Sequence, residues 1–343
     1  MDTFSAMAGA RAGILGIGML VQLAGCAGEA PAPALPSLTL DPARTTVSGI
    51  SSGAYMASQV HLAYSDRIAG AALIAGGPYG CARGSLETAL SRCLAPAQEL
   101  APDVGELATL VRERAANGSI AALAGIADDR ILVFHGALDT TVGAAVSGAA
   151  AALYRQLGAA VEEDTSRAIS HTFPTESAGG ACEASEAPYI GRCGYDAAAA
   201  IFATLEGRAL SGPGAGDGEL RRFDQKRYRD AGKDVQLADH GYVYVPRTCA
   251  AGATCALHVA FHGCQQNVDA VGEAFVRDAG YNRWADAYGV VVLYPQTRAT
   301  FAPLNPKACW DWWGYGGADY DTRAGAQLRW VARAAAALGA PLE

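Results

Sequence analysis

Short aliphatic and β-branched runs alternate along this chain with longer stretches whose apolar residues recur every three or four positions. The runs predict strands at ARTTVSG (43–49), AGAALIAGG (69–77), Ile131 to Phe134, near Ala160, GYVYVP (241–246), ALHVAFHG (256–263) and GVVVLYP (289–295). Helical spacing follows residue 53, where Met56, Val60 and Tyr64 share a face in AYMASQVHLAYSDR. It returns in LATLVRERAANG, from about Gly143 to Leu157, between the last two strands, and as an amphipathic stretch through LRRFDQKRYRDAG. Strands alternating with helices predict an α/β fold with a mostly parallel sheet covered on both faces. In such a fold, active residues sit in loops at the carboxyl ends of strands. No internal repeat or second linker interrupts the pattern, so residues 41–343 are expected to form a single domain.

Composition narrows the class. With 343 residues, 51% hydrophobic and 17% charged, the chain can bury a large core. A net charge of -8 with scattered Lys and Arg argues against nucleic acid and anionic polymers as partners, and favours a neutral or weakly polar substrate. The N-terminus reads as an address: Arg11 precedes the apolar run GILGIGMLVQLAGC, too short to span a membrane comfortably. Its Leu-Ala-Gly-Cys ending resembles a bacterial lipobox, which implies a signal peptide over 1–25, cleavage before Cys26 and diacylglyceryl attachment to that sulfur. Residues 26–40, Ala- and Pro-rich, are expected to be a tether. The expected location is exported, lipid-anchored at the bacterial cell surface or periplasmic face, or secreted, with the membrane contacted only through the lipid on Cys26.

Eight cysteines remain, an even number that suits disulfides in an exported chain. Close sequence pairs suggest Cys81–Cys93, Cys182–Cys193 and Cys249–Cys255, leaving Cys264–Cys309. A zinc site is the alternative, but no spacing is C-x2-C and no metal is expected.

The chemistry centres on Gly49-Ile50-Ser51-Ser52-Gly53, a G-x-S-x-G placed between a predicted strand and a predicted helix, the setting of a nucleophile elbow. A serine needs a base to take its proton and an acid to orient that base. Asp139 after the Ile131–Phe134 strand and His171 in a later loop supply the order Ser, acid, His. The rivals are weaker. Ser52 occupies the position whose backbone N–H serves an oxyanion hole, and Asp128 and Asp129 precede their strand. His61 lies in a helix, His240 and His258 in or beside strands, and His135 and His262 in strand-end turns. The second oxyanion donor is expected from Cys264 in FHGCQQ, more than 200 residues after the serine. That separation implies a circularly permuted α/β-hydrolase, with the early strands moved to the C-terminal end. Trp310, Trp312, Trp313 and Tyr315 in KACWDWWGYGG are expected to make an aromatic wall beside the nucleophile, though packing is the plain reading for at least one of the tryptophans.

The set GISSGAYM, FHGALDTTV, HTFPT, HGCQQN, YNRWADAYGVVVLYPQ and CWDWW resembles the extracellular poly(3-hydroxybutyrate) depolymerases, above all the single-domain, circularly permuted members, over residues 41–343. The resemblance implies a carboxylesterase that cuts poly- or oligo-3-hydroxyalkanoates through an acyl-serine, without a cofactor. It assigns Ser51 as nucleophile, Asp139 as acid, His171 as base, Ser52 and Cys264 as oxyanion donors, and Trp312 to the substrate cleft. The substrate partner is then a polyester or oligoester and the expected state a monomer. An HGCQQ-like loop also occurs in feruloyl and acetyl esterases of plant polysaccharides, which makes those the alternative activity. Ala54 stands where such elbows often carry a further glycine.

Overall fold

The computed structural model describes residues 1–3, 5, 9, 32–94, 100–232 and 234–343. The chain divides into Met1–Pro31 and Ala32–Glu343, and the second unit carries the fold. The apolar run 13–25 and Cys26 lie outside the described residues.

In chain order the elements are β1 (Leu40–Ile50), α1 (Ser52–Ala63), β2 (Gly70–Ile74), α2 (Leu86–Arg92), α3 (Val104–Ala116), β3 (Arg130–Phe134), α4 (Ala144–Leu157), β4 (Ala160–Asp164), β5 (Phe173–Thr175), β6 (Gly180–Ala181), β7 (Ile190–Arg192) and α5 (Ala197–Glu206). They continue with β8 (Glu219–Asp224), β9 (His240–Val245), α6 (Arg247–Ala250), β10 (Cys255–Phe261), α7 (Val268–Val271), α8 (Ala274–Asp278), α9 (Tyr281–Tyr288), β11 (Val290–Tyr294), β12 (Thr300–Phe301), β13 (Leu304–Asn305) and α10 (Ala326–Leu338).

Eight strands form one sheet in the order β4-β3-β2-β1-β10-β11-β9-β8. The six from β4 to β11 are parallel, and β9 and β8 join antiparallel at one edge. Strands β2, β10 and β11 are buried throughout, as a parallel sheet covered on both faces requires. Alternate residues feed two cores. On one face Val47, Leu73, Val133, Val259 and Leu293 pack with Val60 of α1, Leu153 of α4 and Trp330 of α10. On the other, Ile74, Leu132, Ala260 and Val292 pack with Phe202 of α5, Phe275 of α8 and Trp284 of α9.

Two expectations change. Residues 220–232 are not an amphipathic helix: Glu219–Asp224 is strand β8, followed by a tight turn at Gln225–Tyr228. Pairing with β9 satisfies its backbone at the sheet edge and buries Phe223, and this tertiary gain overrides a pattern that fits a helix. The distal part of the expected tether, 32–40, lies on the domain. Leu35 N–H donates to Tyr228 Oη (2.8 Å), Pro33 O accepts from Asp224 N–H (2.9 Å) and Leu38 N–H donates to Leu338 O (2.9 Å).

The disulfides are Cys81–Cys93, Cys182–Cys193, Cys249–Cys255 and Cys264–Cys309. The last closes the longest interval, 45 residues, and in the chain-entropy model a loop of that length is worth about 4 kcal/mol.

Two buried imidazoles make the fold acid-sensitive. His258 bonds Thr46 Oγ1 (2.8 Å) and Ser48 Oγ (2.7 Å), and burial pushes its pKa down to about 3. His262 donates from Nδ1 to Gly263 O (2.7 Å) and is pushed down to about 4, again by burial. Both protonate more readily when unfolded, so their stabilisation is present above the ordinary imidazole pKa and is lost as pH falls toward the folded values. Between pH 7 and 5 the pair should cost about 3 to 4 kcal/mol. Asp311 acts in the opposite sense, because burial raises its carboxyl to about 6 and protonation then favours the fold. It returns about 1 kcal/mol over the same interval. Urea midpoints should therefore fall from pH 7 to pH 5; a level profile contradicts this reading.

Candidate active site

The elbow is built by close approach. Ser51, between β1 and α1, has φ 57° and ψ −122°, a conformation L-residues rarely adopt. Its N–H donates to Ile74 O of the neighbouring strand (2.9 Å). A Cβ on Gly49 would lie 2.2 Å from Gly53 O, and one on Gly53 would lie 2.4 Å from the carbonyl oxygens of both Phe261 and His262. The flanking glycines are thus demanded by backbone contacts, which gives G-x-S-x-G its physical content here. Ala54 fits because its neighbour is Gly76, where an added Cβ would come within 2.3 Å of Ala54 Cβ.

Asp139 sits in the turn after β3 with its carboxylate buried. Oδ1 accepts from Thr141 N–H (2.8 Å) and Val142 N–H (3.0 Å), and Oδ2 accepts from His171 Nδ1 (2.7 Å). That arrangement places the His171 proton on Nδ1 and leaves Nε2 as an acceptor. The small sheet of β5, β7 and β6 holds the histidine loop: Ser170 N–H donates to Cys182 O (3.1 Å), and Ser185 Oγ donates to His171 O (3.2 Å). Cys182–Cys193 ties the same loop to the end of β7.

Ser51 and His171 meet at a cavity of about 430 Å³, whose wall also includes Ser52, Cys264, Trp312 and Trp313. Other histidines are engaged elsewhere. His61 is fully buried against Asp129 (2.9 Å) and Tyr154 Oη (3.0 Å), and His135 bonds Ser147 Oγ (3.2 Å). Desolvation holds the His135 imidazole below its ordinary pKa.

The Cys264 loop is anchored from several sides. Cys264 is bonded to Cys309, Gln265 N–H donates to Lys307 O (2.7 Å), and Gly263 N–H donates to Gln266 Oε1 (2.8 Å). Gln266 Nε2 then donates to Tyr189 O (2.9 Å), so one buried amide joins this loop to the opposite cavity wall. Among the described residues, neither Ser52 N–H nor Cys264 N–H is given to a backbone carbonyl. Two unused amides beside a serine hydroxyl are what a developing oxyanion needs.

The aromatic segment divides. Trp312 stacks on Tyr55 (centroids 4.5 Å apart), and Trp313 meets Trp312 edge-on (5.5 Å). Trp310, expected in the cavity wall with them, does not line it. It is fully buried against Phe261 and donates from Nε1 to His262 O (3.0 Å), so it supports the Cys264 loop from beneath. Its indole N–H finds that carbonyl only inside the core. Several wall residues went unread in the sequence: Tyr55, Leu86, Leu90, Tyr189 and Gln266. Tyr55 lies within GISSGAYM and Gln266 within HGCQQ, and membership of those motifs is the signal that points to them.

A family model described as Esterase PHB depolymerase matches residues 241–338. A polyhydroxybutyrate depolymerase of Talaromyces funiculosus is 37% identical over 326 residues, covering 88% of this chain and 91% of its own length. The chain belongs to the PHB depolymerase family. A poly(3-hydroxybutyrate) depolymerase of Delftia acidovorans is also 37% identical, over 318 residues, covering 91% of this chain; the chain spans 63% of that relative's length. Among solved structures, a serine-to-alanine PHB depolymerase variant complexed with an R3HB trimer superposes with a TM-score of 0.81 at 32% identity, covering 90% of this chain and 99% of that one. The depolymerase from Penicillium funiculosum gives the same TM-score at 33% identity. The structural match covers 90% of the chain, far beyond the segment covered by the family model.

Proposed function

We propose that this chain is a serine esterase that hydrolyses poly- or oligo(3-hydroxybutyrate) through an acyl-serine intermediate. The observation that carries it is the convergence of Ser51, the Asp139–His171 pair and two unused amides on one largely apolar cavity. His171 Nε2 takes the Ser51 proton as Oγ attacks the ester carbonyl, and Asp139 holds the imidazolium that forms. The amides of Ser52 and Cys264 receive the oxyanion. Collapse breaks the ester C–O bond, His171 returns its proton to the leaving alkoxide, and water releases the acyl group by the same route.

The strand order supports the permuted reading. Strands β8 to β11, the last of this sheet in sequence, lie on one side of the elbow strand β1, and β2 to β4 on the other, so joining the ends would put β8 to β11 ahead of the elbow strand in sequence. Four disulfides suit an oxidising compartment, and the lipid anchor on Cys26 remains our reading of the LAGC ending.

The rim favours a solid or polymeric apolar substrate. Leu90 is 58% exposed, Leu304 55% and Phe301 82%; the two leucines line the cavity, and Phe301 lies on the same hairpin as Leu304. Grouped exposed apolar side chains mark interaction surfaces. The double variant Leu90→Ser/Phe301→Ser should lose activity on amorphous polymer granules several-fold more than on soluble trimer. Equal loss on both would remove the rim from polymer contact. Released 3-hydroxybutyrate tests the function itself, whereas turnover confined to feruloyl or acetyl esters would transfer the site to polysaccharide substrates.

A further inference from the structure

Among the described residues lining the cavity, Lys307 is the one whose side chain is charged at neutral pH. It is exposed, and no described carboxylate lies within ion-pair distance of it. The chain as a whole carries a net charge of -8, and Lys307 puts a cation at the mouth of an otherwise uncharged cavity wall. Its backbone is fixed beside the site. Lys307 O accepts the Gln265 N–H (2.7 Å), and two residues on, Cys309 is cross-linked to Cys264.

The chemistry of the substrate supplies an anion for this cation. An oligoester of a hydroxy acid ends in a free carboxyl group, ionised at neutral pH. Relative to any ester bond in the oligomer, that carboxylate lies on the alcohol side, in the segment that leaves when the acyl-serine forms. Every cut of a polymer also creates a new carboxylate end.

We propose that Lys307 recognises the terminal carboxylate of oligo(3-hydroxybutyrate), so that the cavity favours free-acid oligomers over their esters. This rests on the esterase reading above. Ser51 Oγ forms the new acyl bond, the ester C–O bond breaks, the departing hydroxy acid takes the proton from His171, and its carboxylate is the group held by the ammonium. The pair is exposed, so its contribution should be modest and screened by salt.

The test compares kcat/KM for the (R)-3-hydroxybutyrate trimer as free acid and as methyl ester, using the full chain, Lys307→Met and Lys307→Glu. The acid-to-ester ratio should fall about 2- to 5-fold in Lys307→Met and further in Lys307→Glu. In the wild type it should shrink as ionic strength rises. Turnover of the methyl ester shows that each variant is folded. A ratio that neither variant moves, or a loss shared equally by acid and ester, overturns carboxylate recognition while leaving the esterase intact. A wild type inert on both substrates overturns the esterase reading and this inference with it.

Discussion

Replacing Ser51 with alanine should lower kcat/KM on 3-hydroxybutyrate oligomers by about 10⁴-fold or more and leave the thermal unfolding midpoint within a few degrees of wild type. The two halves of that expectation have separate causes. Without Oγ there is no acyl-enzyme, and the remaining amides and cavity give only the residual rate of a bound, polarised ester. The fold keeps its elbow because the strained backbone at Ser51 is imposed by neighbours: its N–H is held by Ile74 O, and Gly49 and Gly53 leave no slack around it. Alanine at φ 57° carries a similar backbone strain to serine, and no side-chain cap on α1 is lost. Equal loss of activity and of cooperative unfolding would make Ser51 structural.

Gly53→Ala should be severely destabilising. Gly53 lies in α1, where alanine in place of glycine ordinarily stabilises a helix by about 1 kcal/mol. Here the sign reverses. The added Cβ would sit 2.4 Å from the carbonyl oxygens of Phe261 and His262, and neither atom can swing aside as a side-chain tip could. Relief requires moving the end of β10 away from α1, which opens the packing of Ala54, Phe261 and Trp310 and displaces the Cys264 amide together. A loss of about 4 kcal/mol or more is expected, read as a large drop in urea midpoint or as failure to accumulate. The folded fraction should also turn over slowly, because the Cys264 loop moves with the strand. A Gly53→Ala protein as stable as wild type would mean that α1 and β10 are not in the contact described.

The parts of this architecture written locally in the chain were open to reading. Largely apolar strands such as VVVLY and ALHVAF need no partner to be recognised, and the elbow motif falls between a β-branched strand and a helix whose every residue is buried. Asp139 and His171 follow from order along the chain, since each lies in a loop after a strand. What was not legible depends on tertiary contact. LRRFDQKRY has a helix-like pattern, and only its antiparallel pairing with β9 decides for a strand. Ala197–Glu206 is nearly all alanine and apolar residues, so its helix shows no polar face to mark the period, yet it covers the sheet with Ile201 and Phe202. The three tryptophans of CWDWW look equivalent in sequence. The turn of the chain after Cys309 sends Trp310 under the Cys264 loop and Trp312 and Trp313 into the cavity wall. Leu86 and Leu90 reach that wall one turn apart on α2 and Tyr189 reaches it from a distant loop, and no local pattern joins the helix to that loop.

The central claim is that an ester of 3-hydroxybutyrate passes through an acyl bond to Ser51. It is tested most directly by mixing the protein with the (R)-3-hydroxybutyrate trimer, quenching in acid within the first turnovers, and locating the added acyl mass by peptide fragmentation. The account predicts a hydroxybutyryl-type adduct on Ser51 that is absent from Ser51→Ala. An adduct on Ser52, or released acid with no serine acylated at all, would contradict it.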